Sequence, residues 1–138
     1  MRSGFVCRLL AGCILEAFTS CASMPGKSCG DNEHAAIHDE LYFGTQKPGG
    51  EVSEADWARF LAEQVTPRFA SGFTVWPAYG QWRSASTSIV QEASKVQSVV
   101  HDRHTDGDAL VRQVVAEYKK QFQQESVLRV RSRICVSF

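Results

Sequence analysis

Arg129, Arg131 and Arg133 recur at every second position near the end of the chain, alternating with Leu128 and Val130, and the apolar series resumes at Ile134, Val136 and Phe138. A period of two is that of a β-strand, so this pattern predicts a strand with the apolar set on its core face and the guanidinium row on the other. Guanidinium forks match carboxylates and phosphates, and three at this spacing repel one another unless a carboxylate or a bound anion lies between them. Glu40 and Tyr42 are expected beside the row on a neighbouring strand, with Trp76, Gln81, Trp82, Glu92 and Lys95 on the same side. Aromatic walls beside forked cationic donors suit a small anionic ligand. A solvated face in which Glu40 pairs with an arginine, or a contact between two copies of the chain, fits the same residues.

Other chemistry finds less support. No serine sits in a Gly-x-Ser-x-Gly turn, and no glycine-rich phosphate loop opens a helix; Gly49-Gly50 belongs to a turn. Gln81-Trp82-Arg83 and Glu92-x-x-Lys95 could set an acid and a base across a hairpin, although ordinary cross-strand pairing accounts for them equally. His34 and His38 are four apart and His101, Asp102 and His104 cluster, but neither group offers four firm zinc ligands, so surface histidines are expected and no metal or cofactor. Fifteen basic and fifteen acidic side chains cancel, which leaves no field to recruit nucleic acid.

The first twenty residues have another character. Arg2 and Arg8 flank the short apolar run from Leu9 to Leu15, the layout of an export signal, and the run is too short for a span of about 20 residues. Phe18-Thr19-Ser20-Cys21 resembles a lipobox, in which small residues precede a cysteine that is lipidated and becomes the new N-terminus. Phe18 in place of leucine and Glu16 within the apolar region depart from that pattern, and ordinary cleavage after a small residue is the alternative. Lipidation would place the protein on the periplasmic side of the cell envelope, with Ala22 favouring the outer membrane of a Gram-negative host. Cleavage discards Cys7 and Cys13, commits Cys21, and leaves Cys29 and Cys135, which in an oxidising compartment read as one disulfide or else as two free thiols.

Residues 21–38 lack an apolar period and read as a tether, which leaves residues 39–138 as one domain. Glu40 to Phe43 reads as a strand ending at Gly44. Ser53 is an N-cap for a helix carrying Trp57, Phe60 and Leu61, which Pro67 and Gly72 terminate. Phe73 to Trp82 is a second strand. Ile89-Val90 and Val96 to Val100 supply a third, with a bulge or kink expected from Glu92 to Lys95. After Asp106-Gly107-Asp108 a second helix presents Leu110, Val111, Val114, Val115, Tyr118 and Phe122 along one face, and Ser126 to Phe138 is the last strand. The order β-α-β-β-α-β predicts an α+β ferredoxin-like sandwich, an antiparallel sheet with two helices on one face. In that arrangement the first and last strands are antiparallel neighbours, which brings Cys29 toward Cys135.

From Asp39 onward the chain resembles a bacterial family, domain of unknown function 3574. The resemblance rests on Glu40-Leu41-Tyr42-Phe43-Gly44, Gly50-Glu51-Val52-Ser53-Glu54 before Trp57, Thr66-Pro67-Arg68-Phe69, Gly72-Phe73-Thr74-Val75, Gly80-Gln81-Trp82-Arg83, Glu92-Ala93-Ser94-Lys95 and Gln124 to Val130. Ala70 departs from the family pattern, which has proline after Arg-Phe. The resemblance implies an export signal or lipobox and no particular activity. The sequence therefore points to an envelope lipoprotein whose sheet face binds a ligand or partner, with a small cofactor-free enzyme acting on an anionic small molecule as the alternative.

Overall fold

The computed structural model describes residues 28–83 and 88–138. Cys21 and the export signal lie outside the described residues. Strand β1 is His34–Gly44, β2 Gln46–Lys47, β3 Gly50–Glu51, β4 Thr74–Arg83, β5 Ile89–Asp102 and β6 Leu128–Val136; helix α1 is Glu54–Phe60 and α2 is Gly107–Phe122. The long strands form one antiparallel sheet in the order β4-β5-β1-β6, while β2 and β3 form a small ribbon. The domain is thus α+β, with both helices on one side of the sheet.

Ser53 starts α1 as expected. Its hydroxyl oxygen accepts the Asp56 N–H at 3.1 Å, and Glu54 and Asp56 occupy the first turn, where the helix dipole favours negative charge. The Ser53 hydroxyl also donates to the Asp56 carboxylate, and this bond, opposed by some desolvation and aided by Lys47 and Arg59, holds the Asp56 pKa below its usual range. The helix continues as a wider π turn over Leu61–Val65, closed by a bond from Thr66 N–H to Leu61 carbonyl at 2.8 Å. Trp57, Phe60, Val65 and Phe69 are all buried along this segment.

The core lies between the sheet and both helices. Leu41 and Phe43 of β1 meet Trp57 and Phe60 of α1 and Val111, Val114, Tyr118 and Phe122 of α2. Phe43 and Tyr118 rings pack edge-on at 4.6 Å, and Phe60 and Tyr118 at 5.1 Å, geometries aromatic quadrupoles favour. Tyr118 donates its hydroxyl to the Gly44 carbonyl at 2.8 Å. Burial, reinforced by the charge of Glu92, drives its phenol far above the normal range, so it remains a neutral donor. Gln97 of β5 is fully buried, and neither its amide nitrogen nor its oxygen has a partner among the described residues.

Three expectations require correction. β5 is a continuous strand of 14 residues whose pairing with β1 and β4 runs without interruption, so no bulge occurs at Glu92 to Lys95. β1 begins at His34, inside the segment read as a tether; the weak apolar run Ala35-Ala36-Ile37 pairs with Cys135, Ile134 and Arg133. The facing of β6 is opposite to expectation. Arg129, Arg131 and Arg133 pair with Leu41, Asp39 and Ile37, which places them on the helix side. Leu128 and Val130 face away from the helices, 60% and 45% exposed.

Candidate functional site

Strand parity assigns each sequence-selected residue to a face. Directly paired residues of an antiparallel sheet share a side, so the open face carries Glu40 and Tyr42 of β1, Trp76 and Trp82 of β4, and Glu92, Ser94 and Ser98 of β5. Gln81 and Lys95 lie on the other side. Gln81 neighbours Trp82 and cannot share its face in a regular strand; its side chain accepts from Gln91 at 2.8 Å. Lys95 is three residues from Glu92 without an intervening bulge, and it pairs with Glu54 at the start of α1. The open face thus gathers Glu40, Tyr42, Trp82 and Glu92, but not Gln81, Lys95, Arg129 or Arg131.

A cleft of about 750 Å³ opens at one end of this face. Tyr42, Trp82 and Leu128 line it together with Glu92 and Ser94 of β5, Gln46 of β2, and Gln124 and Glu125, which follow α2. Tyr42 donates to Glu40 at 3.2 Å, and the Glu40 charge, with some desolvation and that bond, raises the Tyr42 pKa. The Glu92 carboxylate accepts the backbone N–H of Gln46 at 3.0 Å. A Cβ at position 44 would stand 2.5 Å from Glu92 Oε1, so any other residue there would displace this carboxylate. Higher on the same face, His38 Nε2 and Ser98 Oγ share a hydrogen bond of 2.7 Å. Aromatic surface, one fixed carboxylate and amide groups can hold a flat ring bearing hydrogen-bond donors.

The arginines build a different arrangement on the helix side. Arg129 grips the buried Asp39 with two bonds of 2.8 Å, from Nε to Oδ1 and from Nη2 to Oδ2. Its Nη2 also reaches Asp108 of α2 at 2.8 Å, and Arg131 donates to the same Asp108 oxygen at 2.7 Å. His101 Nε2 meets Asp39 Oδ2 at 2.9 Å. Burial alone would raise the Asp39 pKa, but the hydrogen bonds from Arg129 and His101 and the nearby positive charge of Arg129 and Arg131 outweigh it and hold that pKa low. The counter-charges of the guanidinium row are therefore Asp39 and Asp108, not Glu40. Sequence reasoning missed Asp39, His101 and Asp108; the available signal was a carboxylate at the same parity as the core residues Leu41 and Phe43.

Cys29 and Cys135 form the expected disulfide, with Cα atoms 5.5 Å apart. Glu33 lies within 4.8 Å of both sulfurs, the one such group of three metal-type donors among the described residues, but the sulfurs are already joined to each other. No described helix is long and apolar enough to cross a membrane.

Fold and cleft together define a small disulfide-bridged α+β domain with an aromatic-walled recess on its open sheet face. The chain belongs to the family described as protein of unknown function DUF3574, which it matches over residues 38–138. Among solved structures it is similar to a phage SAM lyase in complex with S-methyl-5'-thioadenosine, with 14% identity, a TM-score of 0.55, and coverage of 84% of this chain and 97% of the other. The apo state of a phage SAM lyase is similar at 14% identity and a TM-score of 0.51, over 75% of this chain and 90% of that one. At this identity the likeness is one of fold. Comparison with curated proteins finds no match.

Proposed function

We propose that this is a ferredoxin-like ligand-binding domain, held in the cell envelope by a lipid on Cys21, whose open sheet face takes a small molecule in the Tyr42–Trp82–Glu92 cleft. The strand order β4-β5-β1-β6, antiparallel throughout with both helices on one side, supports the ferredoxin-like reading. The observation that carries the binding reading is the Glu92 carboxylate, held by the Gln46 N–H, sharing with Tyr42 and Trp82 a cleft large enough for a nucleoside-sized ligand. Because the arginines lie on the helix side, the ligand favoured here is a flat ring with hydrogen-bond donors or a positive charge, in place of the simple anion that strand periodicity suggested.

Titration with S-methyl-5'-thioadenosine and adenosine, followed by tryptophan fluorescence, tests the reading. Saturable quenching that Trp82→Ala abolishes and Glu92→Gln weakens is expected. A flat titration with every nucleoside, at ligand concentrations up to about 1 mM, removes the nucleoside version. An enzymatic reading of the same cleft has one observation in its favour, since the similar phage proteins are SAM lyases. Incubation with SAM and chromatographic detection of S-methyl-5'-thioadenosine separates the two readings.

A further inference from the structure

At the end of the sheet opposite the aromatic cleft, a second recess of about 490 Å³ lies on the helix side of β6, lined by Ile37, Arg103, Arg131, Ser132 and Arg133. Its charge is unbalanced. Arg131 is held by Asp108, which also serves Arg129 and Arg112. Arg103 and Arg133 have no carboxylate partner among the described residues. The nearby Asp102 carboxylate accepts the backbone N–H of His104 at 2.7 Å. Arg112, Arg129 and Arg131 thus share the Asp39 and Asp108 carboxylates, and Arg103 and Arg133 add two guanidinium groups beyond that network.

Arg131 and Arg133 are two residues apart on one face of a regular strand, a spacing of roughly 7 Å that leaves their charges repelling across a low-dielectric surface formed partly by Ile37. Arg103 approaches from the loop after β5. A tetrahedral oxyanion placed among them would meet forked donors from two chain segments. We propose that Arg103, Arg131 and Arg133 form a phosphate-binding site distinct from the aromatic cleft. The phosphate belongs either to a soluble phosphate compound or to a phospholipid headgroup. The second source gains weight from the disulfide, which fixes Cys29 to Cys135, two residues beyond Arg133. If Cys21 carries lipid, the eight residues from there to Cys29 span at most about 28 Å, which keeps this end of the sheet near the bilayer.

The test uses the purified full chain at constant ionic strength. Inorganic phosphate is added in one arm, and vesicles of phosphatidylglycerol or of phosphatidylcholine in the other. Arg103→Gln/Arg133→Gln removes two guanidinium groups that have no carboxylate partner among the described residues, so its melting temperature without phosphate should match the wild type. Lys120→Gln, on the exposed side of α2, removes one charge elsewhere. Affinity for phosphate or for phosphatidylglycerol vesicles falling at least about tenfold in the double variant, and unchanged in Lys120→Gln, supports the site. Phosphate binding alone assigns a soluble ligand, and a preference for phosphatidylglycerol vesicles without phosphate binding assigns a headgroup. No binding in either arm, or binding indifferent to the double substitution, overturns the proposal. If the double variant fails to fold, Arg133→Lys keeps the question open to test, because it retains the charge and loses the fork; undiminished phosphate affinity in that variant also counts against the site.

Discussion

Gly107 lies directly beneath the ring of His101: a Cβ at position 107 would stand 2.2 Å from His101 Nδ1 and 2.4 Å from its Cγ. The ring is held there at both edges, by Asp39 at Nε2 and by the Asp102 carbonyl at Nδ1. Glycine at the start of α2 is therefore the residue that lets an imidazole sit between the helix and the sheet.

Gly107→Ala should destabilise the domain by about 2 kcal/mol, reversing the gain that alanine ordinarily brings to a helix. Denaturant unfolding measures it. His101→Ala/Gly107→Ala should recover part of the loss, because the clash disappears with the ring. Additive losses in the double variant would show that the two residues are not coupled in this way.

Asp39 links acid stability to the same network. Its folded pKa lies below the value of 3.8 it would have in the unfolded chain. A depressed carboxylate contributes stability that is fully present above the unfolded pKa and is lost as pH falls through the folded one. Melting temperature should consequently drop steeply below about pH 4. Asp39→Asn, which leaves Arg129 without its buried counter-charge, should cost about 3 kcal/mol at neutral pH and flatten the acid limb of the curve.

The Cys29–Cys135 bridge closes a loop with a sequence separation of 106 residues. Loop-closure entropy for such a span corresponds to at most about 4 to 5 kcal/mol. Reduction, or Cys29→Ser/Cys135→Ser, should lower the melting temperature by many degrees. Two thiols titrating in the folded, unreduced protein would contradict the pairing.

Gln97 is an amide buried in the core without a partner among the described residues for either polar atom. Gln97→Met, of similar length and without hydrogen-bonding demand, should stabilise the domain by about 1 to 2 kcal/mol in urea unfolding. A loss of stability would show that the amide is satisfied in solution.

Element order and helix positions were legible from local signals such as the Ser53 cap and the apolar face from Val111 to Phe122, and the disulfide from the even count of remaining cysteines together with the adjacency of first and last strands. The facing of β6 was not. Alternation shows that Leu128 and Arg129 lie on opposite sides but leaves undecided which side meets the helices, and here Asp39 and Asp108 draw the arginines inward. The bulge was expected because Glu92 to Lys95 interrupts the apolar residues of β5, although Thr45 and Tyr79 meet Ala93 across both edges of the strand. Parity placed Tyr42 on the open face, but Trp82 and Glu92 were grouped with Gln81 and Lys95, which the uninterrupted pairing of β4 and β5 puts on the other side; the lining from Gln124 to Ser126 comes from the exit of α2, which strand parity does not reach.

The bridge between the segment before β1 and the end of β6 also sets how the domain carries mechanical load. Tension applied between residue 28 and residue 138 passes from Cys29 through the sulfurs to Cys135 and on to the three residues after it. The strands, both helices and the cleft lie in the loop that this covalent path bypasses. Pulling along the chain therefore extends only short flanking segments, and the sheet keeps its register while its surroundings move.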